Sequence, residues 1–162
     1  MKFTLKISTL IIACALNALP LAAQAQTTTK DFVTVKREQI VWKEGDLGVK
    51  STVLFGDPTK PGLYIVRNIF PAGIMSTPHS HDQDRYVTVI RGTWNAGTGP
   101  SWDPASTDPL PTGSVMFHPA GAVHFDGSIK DETEVQIMGI GPVTTKSVYP
   151  ELGRFGNARK MN

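Results

Sequence analysis

Cysteine, net charge and helical periodicity are all scarce in this sequence of 162 residues. Its single cysteine, Cys14, has no partner within the chain, so intramolecular disulfides are excluded and stability must come from packing. Sixteen basic residues nearly balance 14 acidic ones without forming a dense basic stripe, which argues against nucleic-acid binding. Beyond the N-terminal segment, no apolar run is long enough to predict a membrane-spanning helix.

The N-terminal residues have the features of a targeting segment. Two lysines flank the start of a mostly apolar stretch over residues 7–21, and Ala23-Gln24-Ala25 is a small-x-small cleavage site. We therefore expect a signal peptide over residues 1–25 and a periplasmic or secreted protein that begins at Gln26. Because Ile-Ile-Ala-Cys14 resembles a lipobox, processing as a lipoprotein at Cys14 is the alternative.

Short β-branched runs between turn residues dominate the rest of the chain. Fifteen glycines and 12 prolines separate these runs, a pattern typical of an all-β barrel or sandwich. We expect a single domain over residues 26–162, with a barrel core at about 40–142 and a polar tail over 146–162. A small closed barrel has a tapered interior that can hold one small ligand. The predicted strands cover residues 33–35, 40–42, 51–55, 63–70, 85–91, 114–118 and 135–140.

Three of the four histidines lie at two regular spacings. His79 and His81 form a His-x-His, which on a strand places both imidazoles on one face because side chains alternate. His124 closes a second segment rich in turn residues, and a second strand or its following turn can bring it beside the first pair. Such a facial set of nitrogen donors predicts a metal site. The alternative is that these histidines are polar rim or core residues without a metal.

The two histidine segments resemble the two sequence motifs of the cupin family. The first motif has Gly, five residues, His-x-His, three or four residues, Glu, six residues and Gly. The second has Gly, five residues, Pro-x-Gly, two residues, His, three residues and Asn, and Ser128 stands at the position of that Asn here. The resemblance implies an all-β, single-domain cupin-type β-barrel, also described as a jelly roll or double-stranded β-helix. The matching residues are Gly73, His79, His81 and Gly92 in the first motif, and Gly113, Pro119, Gly121 and His124 in the second.

One departure from the motif is Arg85, which occupies the position of the family's carboxylate ligand. A guanidinium stays protonated and cannot ligate a metal, so the usual four-ligand site is not intact. Asp82, Gln83 and Asp84 are nearby substitutes, although strand alternation lets only some of them point inward. Arg85 beside a metal would attract a small anion and could hold its carboxylate in a bidentate fork. Alternatively, Arg85 pairs with an acid such as Asp84 and only supports the strand.

Four further side chains are candidates for roles around the site. His118 could point inward as an acid, a base or a support for the ligands, or it could belong to the barrel wall. Tyr86 could donate a hydrogen bond and Gln136 could orient a ligand, although both are also compatible with ordinary packing. Asp126 follows His124 by two residues and could serve as its hydrogen-bond partner.

These residues support more than one function. The first hypothesis is a metalloenzyme, dioxygenase-like or an isomerase, that uses a divalent transition metal (Zn, Fe, Ni, Cu or Mn) to act on a small anionic or oxygen-rich molecule. The second is a non-enzymatic module that binds or senses a small molecule or a metal, and the third is a structural barrel with a degenerate site. The family resemblance also implies a homodimer, with residues 31–42 as the candidate pairing segment.

We predict that the exported protein starts at Gln26. N-terminal sequencing and intact mass of protein from the periplasm should both place the cleavage after Ala25. Ala25→Arg should block processing and leave the precursor uncleaved, because the enzyme that removes signal peptides requires a small residue there. Gln24→Arg, one position earlier, should be processed normally. A lipid-modified mass that begins at Cys14 would contradict this and support the lipoprotein alternative.

Overall fold

Antiparallel β-structure makes up nearly all the regular structure of this protein. The computed structural model describes residues 31–161, so the predicted signal peptide lies outside the described residues. Within that range there are thirteen short strands and four 3-10 turns but no α-helix, which confirms the all-β prediction. None of the described helical turns is long and apolar enough to cross a bilayer. Residues from Phe32 onward form one compact unit.

The strands and turns are numbered in chain order. The strands are β1 (Lys43–Glu44), β2 (Lys50–Phe55), β3 (Gly62–Phe70), β4 (Met75–Ser76), β5 (His79–His81), β6 (Arg85–Arg91), β7 (Thr93–Thr98), β8 (Asp108–Pro111), β9 (Val115–His118), β10 (His124–Gly127), β11 (Thr133–Gly141), β12 (Thr145–Ser147) and β13 (Phe155–Gly156). The 3-10 turns are Arg37–Gln39, Asp46–Gly48, Pro104–Ser106 and Pro150–Leu152.

These strands form two sheets that share one core. The first sheet has the order β1-β2-β3-β11-β6-β9. The second has the order β12-β5-β10-β4-β13, and β7 joins it by pairing with β10 and β8. All of these pairings are antiparallel, and β11 is matched along its whole length by β3 on one side. Two such sheets, with apolar faces turned toward each other, enclose the interior in which the histidine motifs meet.

Strand alternation builds the core. On β6, Val87 and Val89 are buried, and on β11, Val135 and Ile137 are buried. They pack with Trp94 of β7, which comes from the opposite sheet. Burying an aliphatic side chain of this size stabilises the fold by roughly 1.5–3 kcal/mol, so these inward rows hold the two sheets together.

The C-terminal tail packs on the barrel. Strand β12 pairs with β5, and β13 pairs with β4, so the tail extends the second sheet on both sides of the histidine strand. Beneath it, Met75, Trp102 and Phe125 form a second buried cluster, and Trp102 Nε1 donates to Ser76 O at 2.9 Å. The tail residues that pack against this cluster are Leu152, Ala158 and Met161.

Two strands predicted near the N-terminus are wrong. Residues 33–35 belong to no strand, and the short strand β1 begins at Lys43, after the predicted 40–42. Their valines suggested strands, but Val33 and Val41 are 60% and 84% exposed and have no sheet to pack against. A β-branched residue favours a strand only where neighbouring strands provide a surface for it.

The outer face of the first sheet carries a continuous line of apolar side chains. Phe55, Ile65, Met138, Tyr86 and Phe117 are cross-strand neighbours on β2, β3, β11, β6 and β9. Four of the five are 40–49% exposed, the exception being the half-buried isoleucine. We call these five residues the outer apolar row.

Candidate functional site

The two histidine motifs meet through the pairing of β5 with β10. His79 and His81 project from the same face of β5, and His124, the first residue of β10, lies directly opposite His79 in the antiparallel register. Gly121 has a φ of 78°, and its N–H donates to His81 O at 2.7 Å, which ties the preceding turn to β5. Of the two placements that the sequence allowed for His124, strand or following turn, the structure shows the strand. The ring centroids of the three histidines are 4.4–5.4 Å apart.

Each of these three imidazoles is oriented by an oxygen at Nδ1. A ring that donates its Nδ1 proton to a carbonyl keeps its lone pair on Nε2, the form that binds metals. The ligand atoms of the three rings lie within 4.8 Å of one another, so this group could hold a metal ion. The contacts are His79 Nδ1 to Thr77 O at 2.7 Å, His124 Nδ1 to Ala122 O at 2.9 Å, and His81 Nδ1 to Thr144 O at 3.3 Å and Thr145 Oγ1 at 3.0 Å.

Burial keeps His79, His81 and His118 neutral. Desolvation lowers the pKa of His79 to about 4, of His81 to about 2 and of His118 to about 3. At neutral pH these rings are uncharged, so a metal does not have to displace protons from them. In the described part of the chain, His81 Nε2 and His124 Nε2 are buried without a hydrogen-bond partner. Buried nitrogens of this kind need a partner, and an ion would supply it.

His79, His81 and His118 border a cavity of about 330 Å³. Its walls are apolar side chains of both sheets, and its polar lining includes His79, His81, His118, Arg85 and Asp126. A second cavity of about 390 Å³ adjoins the first at His81 and Arg85. A space of this size, mostly apolar with a few convergent polar groups, suits one small organic molecule.

Arg85 points into this cavity from β6. Among the described residues, none places a carboxylate within ion-pair distance of its guanidinium, so the alternative of a pair with Asp84 does not hold. Asp84 instead accepts a hydrogen bond from Ala120 N at 2.7 Å. Burial lowers the pKa of Arg85, while neighbouring Asp126 and Tyr64 act in the opposite direction. The guanidinium is thus a half-buried cation with free donor capacity, and its Nε–H has no partner among the described residues.

None of the three residues between His81 and Arg85 replaces the missing carboxylate ligand. Asp82 accepts hydrogen bonds from Thr144 N and Thr144 Oγ1, both at 2.7 Å, and points away from the cavity. Asp84 accepts the hydrogen bond from Ala120 N, in the turn before His124. Gln83 is exposed.

His118 lies inside the barrel. It ends β9 opposite Arg85 of β6, so both side chains face the cavity. Its ring is stacked on Trp94 with centroids 5.6 Å apart, and its centroid is 4.0 Å from that of His124. Both of its ring nitrogens are buried and lack partners among the described residues. The sequence left open whether His118 belongs to the site or to the wall, and the structure places it beside the other histidines.

Asp126 lies within the site, next to His124. It follows His124 by two on β10, and its Oδ2 is 3.8 Å from His124 Nε2. Its Oδ1 accepts a hydrogen bond from Ser76 Oγ at 3.1 Å. Burial by itself raises the pKa of this carboxyl, but His124, His79, His118 and Arg85 outweigh it and hold the pKa below its usual range.

Tyr86 and Gln136, two predicted site residues, do not line the cavity. Tyr86 is 49% exposed and contacts Phe117 on the outer face of the sheet. Gln136 also lies on the outer face, where its Oε1 accepts a hydrogen bond from Arg67 Nε at 3.0 Å. Because side chains alternate along a strand, a residue next to the inward Arg85 must point outward.

The cavity also contains polar residues that the sequence patterns did not predict. Asn68 of β3 faces inward, and it lies two residues from the buried Phe70 on the same face, so the period of the strand could have identified it. Arg154 lines the cavity from the C-terminal tail and lies over the ring of Phe155 at 5.1 Å. No motif or spacing in the sequence connects the tail to the histidines.

Comparisons with known proteins identify the fold. No family model matches the chain, and no curated protein matches it. Solved structures do match, and several are cupins. The polyketide cyclase RemF of Streptomyces resistomycificus aligns with a TM-score of 0.61 at 14% identity, over 73% of this chain and 86% of its own. These likenesses lie below 25% identity and establish the fold alone: the chain has the all-β cupin barrel fold.

Two further neighbours are named as cupins. An RmlC-like cupin from Shewanella frigidimarina aligns with a TM-score of 0.56 at 16% identity, over 68% of this chain and 91% of its own. A sugar phosphate isomerase of the cupin superfamily from Silicibacter pomeroyi aligns with a TM-score of 0.57 at 17% identity, over 72% of this chain and 82% of its own. The structural neighbours thus include enzymes of different reaction types on one fold, so function must be argued from the site.

Proposed function

We propose that this protein is an exported cupin that holds a divalent transition metal through His79, His81 and His124. We further propose that it binds a small anionic, oxygen-rich molecule beside the metal. The observation that carries the metal site is the arrangement of the three rings: each Nδ1 is occupied by an oxygen, so the free Nε2 atoms are left to face one another. Imidazole nitrogen suits zinc, copper, nickel and iron.

The charge of the cavity supports an anionic ligand. Arg85 is half-buried and has no ion-pair partner among the described residues, and Arg154 adds a second guanidinium to the lining. Asp126 is the one acidic side chain in that lining. A planar guanidinium with free donors can hold a carboxylate through two parallel hydrogen bonds. The ligand would thus lie between Arg85 and the histidines.

The same site would serve either an enzyme or a binding module. A bound metal with open coordination positions supplies Lewis-acid or oxygen chemistry, and the residues around it would orient the ligand and limit its contact with water. The observation that favours an enzyme is His118, a neutral buried base with two unpartnered nitrogens next to the cavity. Ligand binding without turnover, tested by oxygen consumption and product analysis, would favour the alternative of a binding or sensing module.

Metal content is the first test of this proposal. Untagged protein should contain about one transition metal per chain by elemental mass spectrometry, and the His79→Ala/His124→Ala double variant should lose it because two of three donors are gone. All four histidines of the chain lie at the site. Circular dichroism and thermal unfolding must therefore serve as the control for folding. Metal-free protein in both samples after reconstitution would overturn the metal site.

The role of Arg85 can be tested with oxalate as a small anionic probe. Arg85→Ala in zinc-loaded protein should weaken oxalate binding, measured by calorimetry, by about 10-fold to 100-fold, the range expected for a hydrogen bond to a charged group. Arg91→Ala is the matched control: it removes the same charge from an exposed arginine that pairs with Glu132 on the outside. Equal losses in both variants would show that Arg85 acts only through net charge.

We also propose that the chain forms a homodimer through the outer apolar row. The row is exposed across five strands, and the N-terminal residues Phe32, Val33 and Val35 are exposed and apolar too. One chain thus has an apolar sheet face and an apolar extended segment, neither of which is covered in its own described structure. A second copy with the same two features could cover both by two-fold symmetry.

A charge in the row should prevent dimer formation. Phe117→Glu or Met138→Glu should shift the mass measured by light scattering from two chains to one, because a carboxylate would be desolvated at the interface. Lys146→Glu, an exposed position on the second sheet, is the control and should remain dimeric. A wild-type protein that is monomeric at all concentrations, or row variants that stay dimeric, would contradict the proposed interface.

A further inference from the structure

A second set of possible metal ligands lies next to the three-histidine group. His118, His124 and Asp126 each place a ligand atom within 4.8 Å of the other two, and all three are buried. Two imidazoles and one carboxylate form the set typical of non-haem iron sites, and carboxylate oxygen also suits manganese. The sequence motif gave no reason to expect a carboxylate here, since the family's carboxylate position is occupied by Arg85.

The carboxylate of Asp126 is held in position for binding. Ser76 Oγ donates to Oδ1 at 3.1 Å, and Asp126 N donates to the same hydroxyl at 2.9 Å. Oδ2 is directed at His124 Nε2, 3.8 Å away, and makes no hydrogen bond within the described range 31–161. A buried carboxylate is costly unless it is paired or coordinates a metal.

His118 of β9 is the third member of this ligand set. Its ring centroid is 4.0 Å from that of His124, and both of its nitrogens are buried and unpartnered within the described range. Trp94 stacks on the ring and restricts its orientation. An imidazole in this state satisfies its polar atoms only by contact with an ion, a ligand or water.

We propose that the barrel contains two alternative metal positions that share His124, and that the metal's chemistry selects between them. The three-histidine position takes metals that favour nitrogen, such as zinc. The inner position, formed by His118, His124 and Asp126, takes metals that accept carboxylate oxygen together with imidazole, such as manganese and iron(II). Because Nδ1 of His124 is bound to Ala122 O, its single free nitrogen Nε2 serves one position at a time. This inference rests on the proposed function, because His124 is also a ligand of the proposed three-histidine site.

Charge balance agrees with an inner position. Arg85 is the cross-strand neighbour of His118 and faces the same interior. At the three-histidine position all three ligands are neutral, so the two charges of a divalent ion are not offset by direct contact with an anion. At the inner position Asp126 offsets one of these charges, so Arg85 stays available for an anionic ligand.

The test is a comparison of two metals across four variants. Mn²⁺ binding is measured by loss of the free-ion electron paramagnetic resonance signal, and Zn²⁺ binding by competition with a chromophoric chelator. Asp126→Asn should weaken Mn²⁺ binding more than about 10-fold, since even the loss of an outer partner costs that much, and should change Zn²⁺ binding less than about 2-fold. The amide oxygen in this variant can still accept the Ser76 hydrogen bond, so the fold is retained. His81→Ala should weaken Zn²⁺ binding and leave Mn²⁺ binding nearly unchanged. His124→Ala should weaken the binding of both metals.

Asp108→Asn is the matched control, because Asp108 is exposed on β8 outside the cavity, and it should change neither affinity. Zinc added to the manganese-loaded protein should release the manganese one for one. The inner position would be overturned if the wild type bound both ions together or bound no Mn²⁺. It would also be overturned if Asp126→Asn left the Mn²⁺ affinity unchanged or weakened the binding of both metals equally. Unchanged Zn²⁺ affinity in His81→Ala would instead count against the proposed three-histidine site.

Discussion

The antiparallel pairing of β5 with β10 is the constraint on which the rest of the site depends. It places His124 opposite His79, and the contact between Gly121 N and His81 O fixes the turn that leads into β10. Without this register, the three Nε2 atoms would not converge. A shift by one residue would turn the His124 ring and the Asp126 carboxylate to the other face of the sheet. The tail strengthens the arrangement, because β12 pairs with the free side of β5.

Charge is distributed unusually in this interior. Arg85 stands where a carboxylate would complete the family's usual ligand set, and a buried carboxylate, Asp126, lies instead on β10. The barrel therefore retains one acidic side chain near the histidines but presents it from another strand. A cation on β6 and an anion on β10 face the same cavity, which gives it a polarity that would orient a small anionic ligand.

Much of the fold could be predicted from the sequence, but the orientation of individual strands was less certain. The long runs at β3, β6 and β11 are rich in β-branched residues and were found within two residues of their ends. The sequence pattern does not place Tyr86 and Gln136 on the outer face. Alternation shows that neighbouring residues point to opposite faces of a strand, but it does not show which face is inside. Phe125 is the sole large apolar residue of β10, so that strand had no recognisable pattern.

The sequence by itself determined the fold and the three histidines that are candidate metal ligands. The His-x-His spacing puts two imidazoles on one face of any strand, and the two glycine-rich motifs predict a cupin barrel. Only the tertiary structure decided which other polar groups share the interior. His118, Asp126 and Arg154 come from β9, β10 and the tail, and they meet because the sheets close around them. Contacts between segments far apart in sequence depend on register and closure, which local residue patterns do not encode.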